Sequence, residues 1–499
     1  MEIFSHLIEG FNLVLNWIPL LVIVVGVMMG ILVGVLPGLS PAMGVALLVP
    51  FSYGLNPLYG LILLVAVYSA ANYGGTITAI AINTPGTPSA IVSTFDGYPL
   101  TQQGKPGRAL GASVIASTVG GIFGTIILIF FSVPLAKAAL TFGPAEYFAL
   151  AVFGLTIISS LSSGNWLKAF IATLIGLLLN TVGMDPFTGY LRFTFGIPEL
   201  SDGFSFIPAL IGLFALSEIF LSMERSKSVQ KTIKAVSGKM PELRELWGIK
   251  RAISQSAIIG TVIGVVPGAG ATIAAFIAYN EAKRASKNPQ KFGRGSLEGV
   301  AAAGASGSGS VGGALVPLLT LGIPGSAATA VLIGALVLHG LSPGPELFKE
   351  NTDIVYSVFA SLFIAYAAML LLGILGNQLW IKIIAAPKAI LNPIILSIAF
   401  IGSYAVGNSM FDVWSCFGFG VLGWILRRYD FPTAPVILGL ILGFLAETNF
   451  RRALLMGDSS ILFTRPVSLI MLILAVISFF MPLFREYKKR KQAQQQEKI

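Results

Sequence analysis

The segment Asn83-Thr84-Pro85-Gly86-Thr87-Pro88-Ser89 gathers an amide, three hydroxyls and two prolines inside a long apolar stretch. Proline has no N–H and its ring clashes with the preceding turn, so a helix cannot run through this spacing. Two half-helices should meet here, one leaving free carbonyls and the other free N–H groups. A helix N-terminus carries roughly +0.5 of an elementary charge and binds anions. Free carbonyls suit a bound Na⁺. Asn83, Thr84, Gly86, Thr87 and Ser89 are therefore candidate substrate-binding residues.

A second break, Gly322-Ile323-Pro324-Gly325-Ser326, offers Gly325, Ser326 and bare backbone. Each is preceded by a simpler interruption, at Gly34-Val35-Leu36-Pro37-Gly38 and at Gly264-Val265-Val266-Pro267-Gly268. The helix breaks are thus Pro37, Gly38, Pro85, Pro267, Gly268 and Pro324. Pro37 and Pro267 are 230 residues apart and Pro85 and Pro324 are 239 apart, a nine-residue insertion between the pairs. In lipid an unsatisfied backbone group costs several kcal/mol, so such breaks survive only where protein or a polar cavity satisfies them. Paired breaks at matching places in two halves point to the binding site of a secondary transporter. No motif holds a fixed charge, so an anionic solute would be held by dipoles and hydroxyls. The backbone at Gly38 and Ser40, and at Gly268, Gly270 and Thr272, is the candidate seat of a coupling cation, Na⁺ or H⁺. For each motif the alternative is a plain kink without a ligand.

The elements that must position these groups are membrane helices. The 499 residues are 55% hydrophobic and 11% charged, with mean hydropathy +0.84, whereas soluble domains are about 25% charged. Apolar runs of bilayer length recur along the chain, without the alternation of an outer-membrane barrel. The net charge of +10 is gathered in three places. Residues 223–251 hold eight Lys/Arg, residues 281–298 five and residues 484–499 six. The positive-inside rule places these segments, and the C-terminus, in the cytoplasm, which disfavours a nucleic-acid partner. One cysteine, Cys416, excludes an internal disulfide and a cysteine-based metal site. The first ten residues lack the basic region of a signal peptide.

The first Lys or Arg in the chain is Lys105. The flanks of the first Pro-Gly segment are therefore free of positive charge, while those of the matching segment 252–280 are strongly basic. That is the signature of an inverted-topology repeat. With both its ends basic, 252–280 reads as a re-entrant hairpin turning at Pro267-Gly268-Ala269-Gly270, the alternative being one kinked span. The expected division is a first membrane repeat at 1–222, a basic linker at 223–250, a second repeat at 251–483 and a basic tail at 484–499. Pro241 to Trp247 reads as an interfacial amphipathic helix.

Other constellations are weaker. Gly307-Ser308-Gly309-Ser310-Val311-Gly312 matches GxGxxG but lacks a strand–helix context. Gly304-Ala305-Ser306-Gly307 is similar to an intramembrane serine protease motif, which would need a base such as His6 or His339. Gly111, Gly120, Gly121 and Gly124 suit close helix packing. Glu218, Asp412 and Glu447 read as interfacial acids near span ends.

At its motifs the chain resembles the large membrane subunit of tripartite tricarboxylate transporters, the TctA-type permease. The resemblance runs through Gly34 to Gly38, Tyr73 to Ile80, Asn83 to Pro88, Phe95-Asp96-Gly97-Tyr98-Pro99, Gly104 to Leu110, Gly264 to Gly268, Gly312 to Pro317 and Leu321 to Gly325. It implies a permease of a prokaryotic inner or plasma membrane, with no cofactor beyond the coupling ion. A small four-span subunit and an extracytoplasmic solute-binding protein would be its partners, and carboxylates its substrates. A homodimer is left open. The chain departs from the resemblance at Ala303-Gly304-Ala305-Ser306-Gly307-Ser308, where relatives carry a Pro-Glu-Ser-Ala-Asn-Asn type segment. Ser306, Ser308 and Ser310 are the candidate substitutes, the alternative being a degenerate second-half site. The reading is an all-α polytopic membrane protein of ten to twelve spans plus hairpins, in two inverted halves, moving by an elevator. A channel, a standalone carboxylate carrier and, more remotely, an intramembrane protease are the alternatives.

Overall fold

The computed structural model describes residues 2–36, 38–161, 166–224, 239–268, 270–376, 379–380, 388–457 and 460–480. Pro37, residues 225–238 of the linker and the basic tail lie outside the described residues. Of the described residues, those within Met1–Lys137 and Leu210–Trp424 pack as one compact unit. Those within Ala138–Ala209 and Ile425–Ile499 pack as a second. Both units draw on early and late parts of the chain.

The helices of the first unit begin with α1 (Glu2–Val14), α2 (Trp17–Val35), α3 (Pro41–Tyr53), α4 (Pro57–Ile82), α5 (Ile91–Gln102) and α6 (Pro106–Ala139), the last reaching the unit's edge. Skipping α7 and α8 of the second unit, the chain resumes with α9 (Phe206–Glu224), whose middle residues Gly212–Leu216 form a π turn. After α10 (Leu243–Gly248) come α11 (Lys250–Val265), α12 (Gly270–Ala285), α13 (Leu297–Leu321) and α14 (Ala327–Leu338). The run closes with α15 (Pro345–Glu350), α16 (Thr352–Leu375), α17 (Lys388–Gly407) and α18 (Met410–Arg428). Among the described residues, six helices are long and apolar enough to cross a membrane: α2, α4, α6, α9, α16 and one in the second unit, Ala434–Met456. Six shorter apolar helices accompany them, α3 and α14 included. The protein is thus an all-α, multi-pass membrane protein.

Segment 252–280 is a helical hairpin. Its arms α11 and α12 are each about 24 Å long at 1.5 Å per residue, shorter than a bilayer core of about 30 Å. The arms pack on each other rather than continuing in one rod. The pair α2 and α3 is interrupted at the same place. Three residues, 54–56, link α3 to α4, and eleven, 286–296, link α12 to α13.

Small residues set the contacts between these helices, since apolar burial alone cannot drive helices together in lipid. On α2, Gly30 lies against the Val67 carbonyl of α4 and Gly34 against that of Ala71. Gly74 of α4 returns against the Ile31 carbonyl, where a Cβ would stand 2.5 Å from the oxygen. On α11, Gly260 lies against the Ser306 carbonyl of α13 and Gly264 against that of Ser310, while Gly313 returns against the Thr261 carbonyl. The α2 positions and the α11 positions differ by 230 (30 to 260, 31 to 261, 34 to 264). The α4 and α13 positions differ by 239 (67 to 306, 71 to 310, 74 to 313). These are the two offsets that relate the prolines. Gly120 and Gly124 of α6 meet the Ala305 and Gly309 backbone of α13, Gly121 meets the Tyr366 ring and Gly111 meets Met240 and Pro241. Packing is therefore their role.

Asp96, at the centre of α5, ties α5 to the loop before α13. It is fully buried. Its Oδ1 accepts from the backbone N–H of Gly293, Gly295 and Ser296 at 2.8–2.9 Å, and its Oδ2 accepts from the Tyr279 hydroxyl at 2.8 Å. The linker helix α10 is capped by Glu242 and Glu245 and leaves Trp247 exposed, as an interfacial helix should. The Lys250 ammonium stands 4.0 Å over the Trp247 ring.

The second unit holds α7 (Pro144–Leu161), α8 (Trp166–Asn180), α19 (Ala434–Met456), α20 (Ile461–Thr464) and α21 (Pro466–Phe480). It also holds a two-stranded antiparallel hairpin that composition did not suggest, β1 (Gly183–Met184) and β2 (Leu191–Arg192), with Gly183 opposite Arg192. Asp185 caps its turn by accepting from the N–H of Phe187 and Thr188 and pairs with Arg451 at 2.8 Å. Arg192 and Arg451 both reach Glu447, at 2.7 and 3.1 Å. The backbone N–H of Phe187, with Thr188 and Arg451, holds the Asp185 carboxyl down at about 2.

Candidate functional site

All four helix breaks lie in the first unit. The backbone explains why the residues at each are what they are. α4 ends on Asn83, which caps the helix at φ +57, in the left-handed region. Asparagine is among the few residues with a side chain that tolerate this conformation. Gly322, 239 positions on, caps α13 at φ +69. Gly38 and Gly268, 230 apart, stand at φ +101 and +81. The structure thus gives Asn83 a backbone role, with its side chain exposed.

Beyond Asn83 the chain turns back onto α4. The Gly86 N–H donates to the Gly75 carbonyl at 3.2 Å. A Cβ on Gly86 would fall on the Gly34 carbonyl oxygen and one on Gly75 would strike Thr87, so the crossing admits only glycine. In the second copy Gly325 is pressed on the Ala314 backbone, and its carbonyl accepts from the Gly268 N–H at 3.1 Å. That bond joins the hairpin tip to the broken helix.

The hydroxyls form a short buried chain. Thr87 Oγ1 is 3.2 Å from Ser89 Oγ, and Ser89 Oγ donates to Asn72 Oδ1 at 3.4 Å. One turn back on α4, the Tyr68 hydroxyl bonds Ser326 Oγ at 3.0 Å. Ser326 also caps α14, with reciprocal bonds to Thr329. Tyr68 therefore links the first broken helix to the second break. Each half-helix also packs on the opposite copy, α5 against α12 and α13, and α14 against α3 and α4. Tyr68 and Asn72 escaped notice in the sequence, where they sit in an apolar run far from any proline.

A cavity of about 210 Å³ opens at the first pair of breaks, lined by Gly38, Met43, Thr84, Pro85, Glu218 and Asn392 among others. The Glu218 carboxylate stands 3.3 Å from where a Cβ on Gly38 would be. Glu218, read in the sequence as an interfacial acid, lines this cavity. Among the described residues it is the one acidic group lining the cavity, and neither Lys nor Arg is among the described lining residues. An ionisable residue inside an apolar span was the available signal. Glu447, by contrast, is used in the ion network of the second unit, and Asp412 is buried beside Gly407.

The remaining candidates are placed as follows. Ser40 is the N-cap of α3, accepting from the Met43 N–H at 3.2 Å. Gly270 starts α12 at φ +61, and Thr272 follows in its first turn, half-buried. Pro85 and Pro267 are half-buried and Pro324 is buried. Ser306 donates to its own helix at Ala302, 2.7 Å away, and its backbone meets Gly260. Ser308 is buried; its carbonyl accepts from the Tyr366 hydroxyl at 3.3 Å, and its own hydroxyl has no partner among the described residues. Neither reaches a break residue through a described hydrogen bond. His339 bonds Ser52 at 3.1 Å, and no described hydrogen bond joins either histidine to Ser306. The GxGxxG stretch is helical throughout and forms no phosphate-binding turn.

Residues 20–438 match the tripartite tricarboxylate transporter TctA family. The chain is 36% identical over 470 residues to an uncharacterized 52.8 kDa protein in the TAR-I ttuC' 3' region of Agrobacterium vitis, covering 94% of each chain. It is 34% identical over 234 residues to an uncharacterized protein in the TAR-II ttuC' 3' region of the same organism. That match covers 46% of this chain and 97% of the relative. No solved structure matches.

Proposed function

The chain belongs to the tripartite tricarboxylate transporter TctA family, and we propose that it is the large permease subunit of an ion-coupled carrier for di- and tricarboxylates. The observation that carries this is the recurrence of the breaks. A helical hairpin, a helix pair interrupted at the same place and two broken helices share left-handed residues and glycine contacts at constant offsets, inside one compact unit. An anionic solute is held by helix ends and by the hydroxyls of Thr87, Ser89 and Ser326, without a buried cation that would be costly when the site is empty. The coupling cation takes the cavity beside Gly38 and Ser40, where the Glu218 carboxylate favours positive charge. The two copies are inverted in the membrane, a reading that their unlike flanking charges support. The unit carrying the breaks moves as a rigid body, as an elevator. A small membrane subunit and an extracytoplasmic binding protein deliver the substrate.

Uptake into proteoliposomes tests this, with a panel of di- and tricarboxylates under imposed Na⁺ or pH gradients, with and without the partner subunits. Uphill uptake that needs the ion gradient is expected. Gradient-independent equilibration of any small anion would overturn it in favour of a channel.

A further inference from the structure

A second cavity, of about 580 Å³, lies away from the helix breaks. Its walls come from the end of α5 and start of α6 (Gln103, Lys105, Arg108), from the linker (Glu245) and from the loop before α13 (Lys291, Arg294). It thus spans the first copy, the linker and the second copy, on the face bearing the chain's basic loops.

Its charge is unbalanced. Four cations line it, Lys105, Arg108, Lys291 and Arg294, against two carboxylates, Glu245 and Glu298. Both carboxylates are engaged. Glu245 is bonded by both ends of the Arg108 guanidinium, which holds its carboxyl below the usual range. Glu298 accepts from the Ser286 hydroxyl. Among the described residues, Lys105, Lys291 and Arg294 have no ion-pair partner, and all three are exposed. The wall that carries Arg294 is fixed in place. Asp96 binds three N–H groups of residues 293–296, and Gln103 Nε2 donates to the Arg294 carbonyl at 2.8 Å. A rigid wall avoids the ordering cost that weakens binding to mobile loops.

We propose that this basin binds a polyvalent oxyanion, through Lys105, Lys291 and Arg294, and so bridges the two copies from the cytoplasmic side. The shared chemistry is several anionic oxygens on one molecule. Its source is either a soluble polycarboxylate or phosphate, or the headgroup of an anionic lipid. The cytoplasmic placement rests on the transporter reading; the binding itself does not.

The test compares the intact purified protein with a Lys105→Gln/Lys291→Gln/Arg294→Gln variant and with a Lys283→Gln/Lys287→Gln control, which alters exposed cations that do not line the basin. Calorimetric titration with citrate and with pyrophosphate probes soluble anions. Phosphatidylcholine nanodiscs with and without phosphatidylglycerol, read by co-purified lipid, probe the headgroup. The triple variant should lose about tenfold or more in affinity for one probe class, about 1.4 kcal/mol, while the control keeps it. Gradient-driven uptake should survive in the triple variant, so that this site and the transport site fail separately. Equal binding of every probe by all three proteins would overturn the proposal, as would an equal loss in the control. Thermal unfolding at the wild-type midpoint confirms that the triple variant is folded.

Discussion

An Asp96→Ala substitution removes four hydrogen bonds in one step. Three backbone N–H groups before α13 and the Tyr279 hydroxyl lose their acceptor. Hydrogen bonds to a charged group contribute about 1.5–3 kcal/mol each, and they are not additive within one network. The Gly293 end of the loop is exposed, so water would satisfy part of what is freed. A net loss of about 3–5 kcal/mol follows, a large share of a typical folding free energy of about 5–15 kcal/mol. Asp96→Asn separates charge from geometry. Its amide oxygen can still accept from the three N–H groups, and its amide nitrogen can donate to the Tyr279 oxygen. Charged hydrogen bonds are roughly twice as strong as neutral ones, so about half the loss, 1.5–2.5 kcal/mol, should remain. The chain carries its own reporter, because Cys416 is its one cysteine and is fully buried. A thiol-reactive fluorophore follows its exposure on heating the detergent-purified protein. The midpoint should fall in the order wild type, Asn, Ala. Equal midpoints for Asn and Ala, or no fall in either, would refute the assignment of Asp96 as a tie between α5 and the loop.

Four other substitutions probe other features. Gly86→Ala places a Cβ on the Gly34 carbonyl and should destabilise the protein by about 1–3 kcal/mol, whereas Gly307→Ala meets nothing within 4 Å and should be neutral or stabilising by up to about 1 kcal/mol; the same thermal assay checks both. Glu218→Gln should leave protein yield unchanged and abolish the dependence of uptake on the coupling-ion gradient, measured in proteoliposomes; full coupling in the variant would exclude the carboxylate from the ion site. Asp185, whose carboxyl is held at about 2 against an ordinary value near 3.8, contributes stability that is complete above about pH 4 and is lost as pH falls toward 2. Asp185→Asn should flatten that part of the acid-unfolding curve, with tryptophan fluorescence as the readout.

Where the helices stop was legible in the sequence, because proline and glycine act on their own backbone and immediate neighbours. The four interruptions, the hairpin at 252–280, the interfacial turn at Leu243 and the packing glycines of α6 could all be read this way. What the side chains do there could not. Thr84, Thr87 and Ser89 were chosen by proximity to proline, yet Ser89 donates to Asn72, seventeen residues upstream of it, and the second break is touched by Tyr68. Ser306 looked available for a ligand because a serine in an apolar run invites that reading, but its hydroxyl returns to its own helix at Ala302. Glu218 was read by its distance from a span end, while the cavity it lines is set by how α9 packs against α3. The strands at 183–184 and 191–192 are two residues each, too short for any alternation to register.

The eleven residues between α12 and α13 replace three between α3 and α4, and they account for most of the insertion that separates the two copies. This longer connection is also what Asp96 grips and what carries Lys291 and Arg294. The two copies share their breaks, and this loop is one place where they part. Here a single loop, gripped by one carboxylate, sets the second copy apart from the first. Trimming it to the length of its counterpart would bring the two connections back to one length and, with it, remove that difference between the copies.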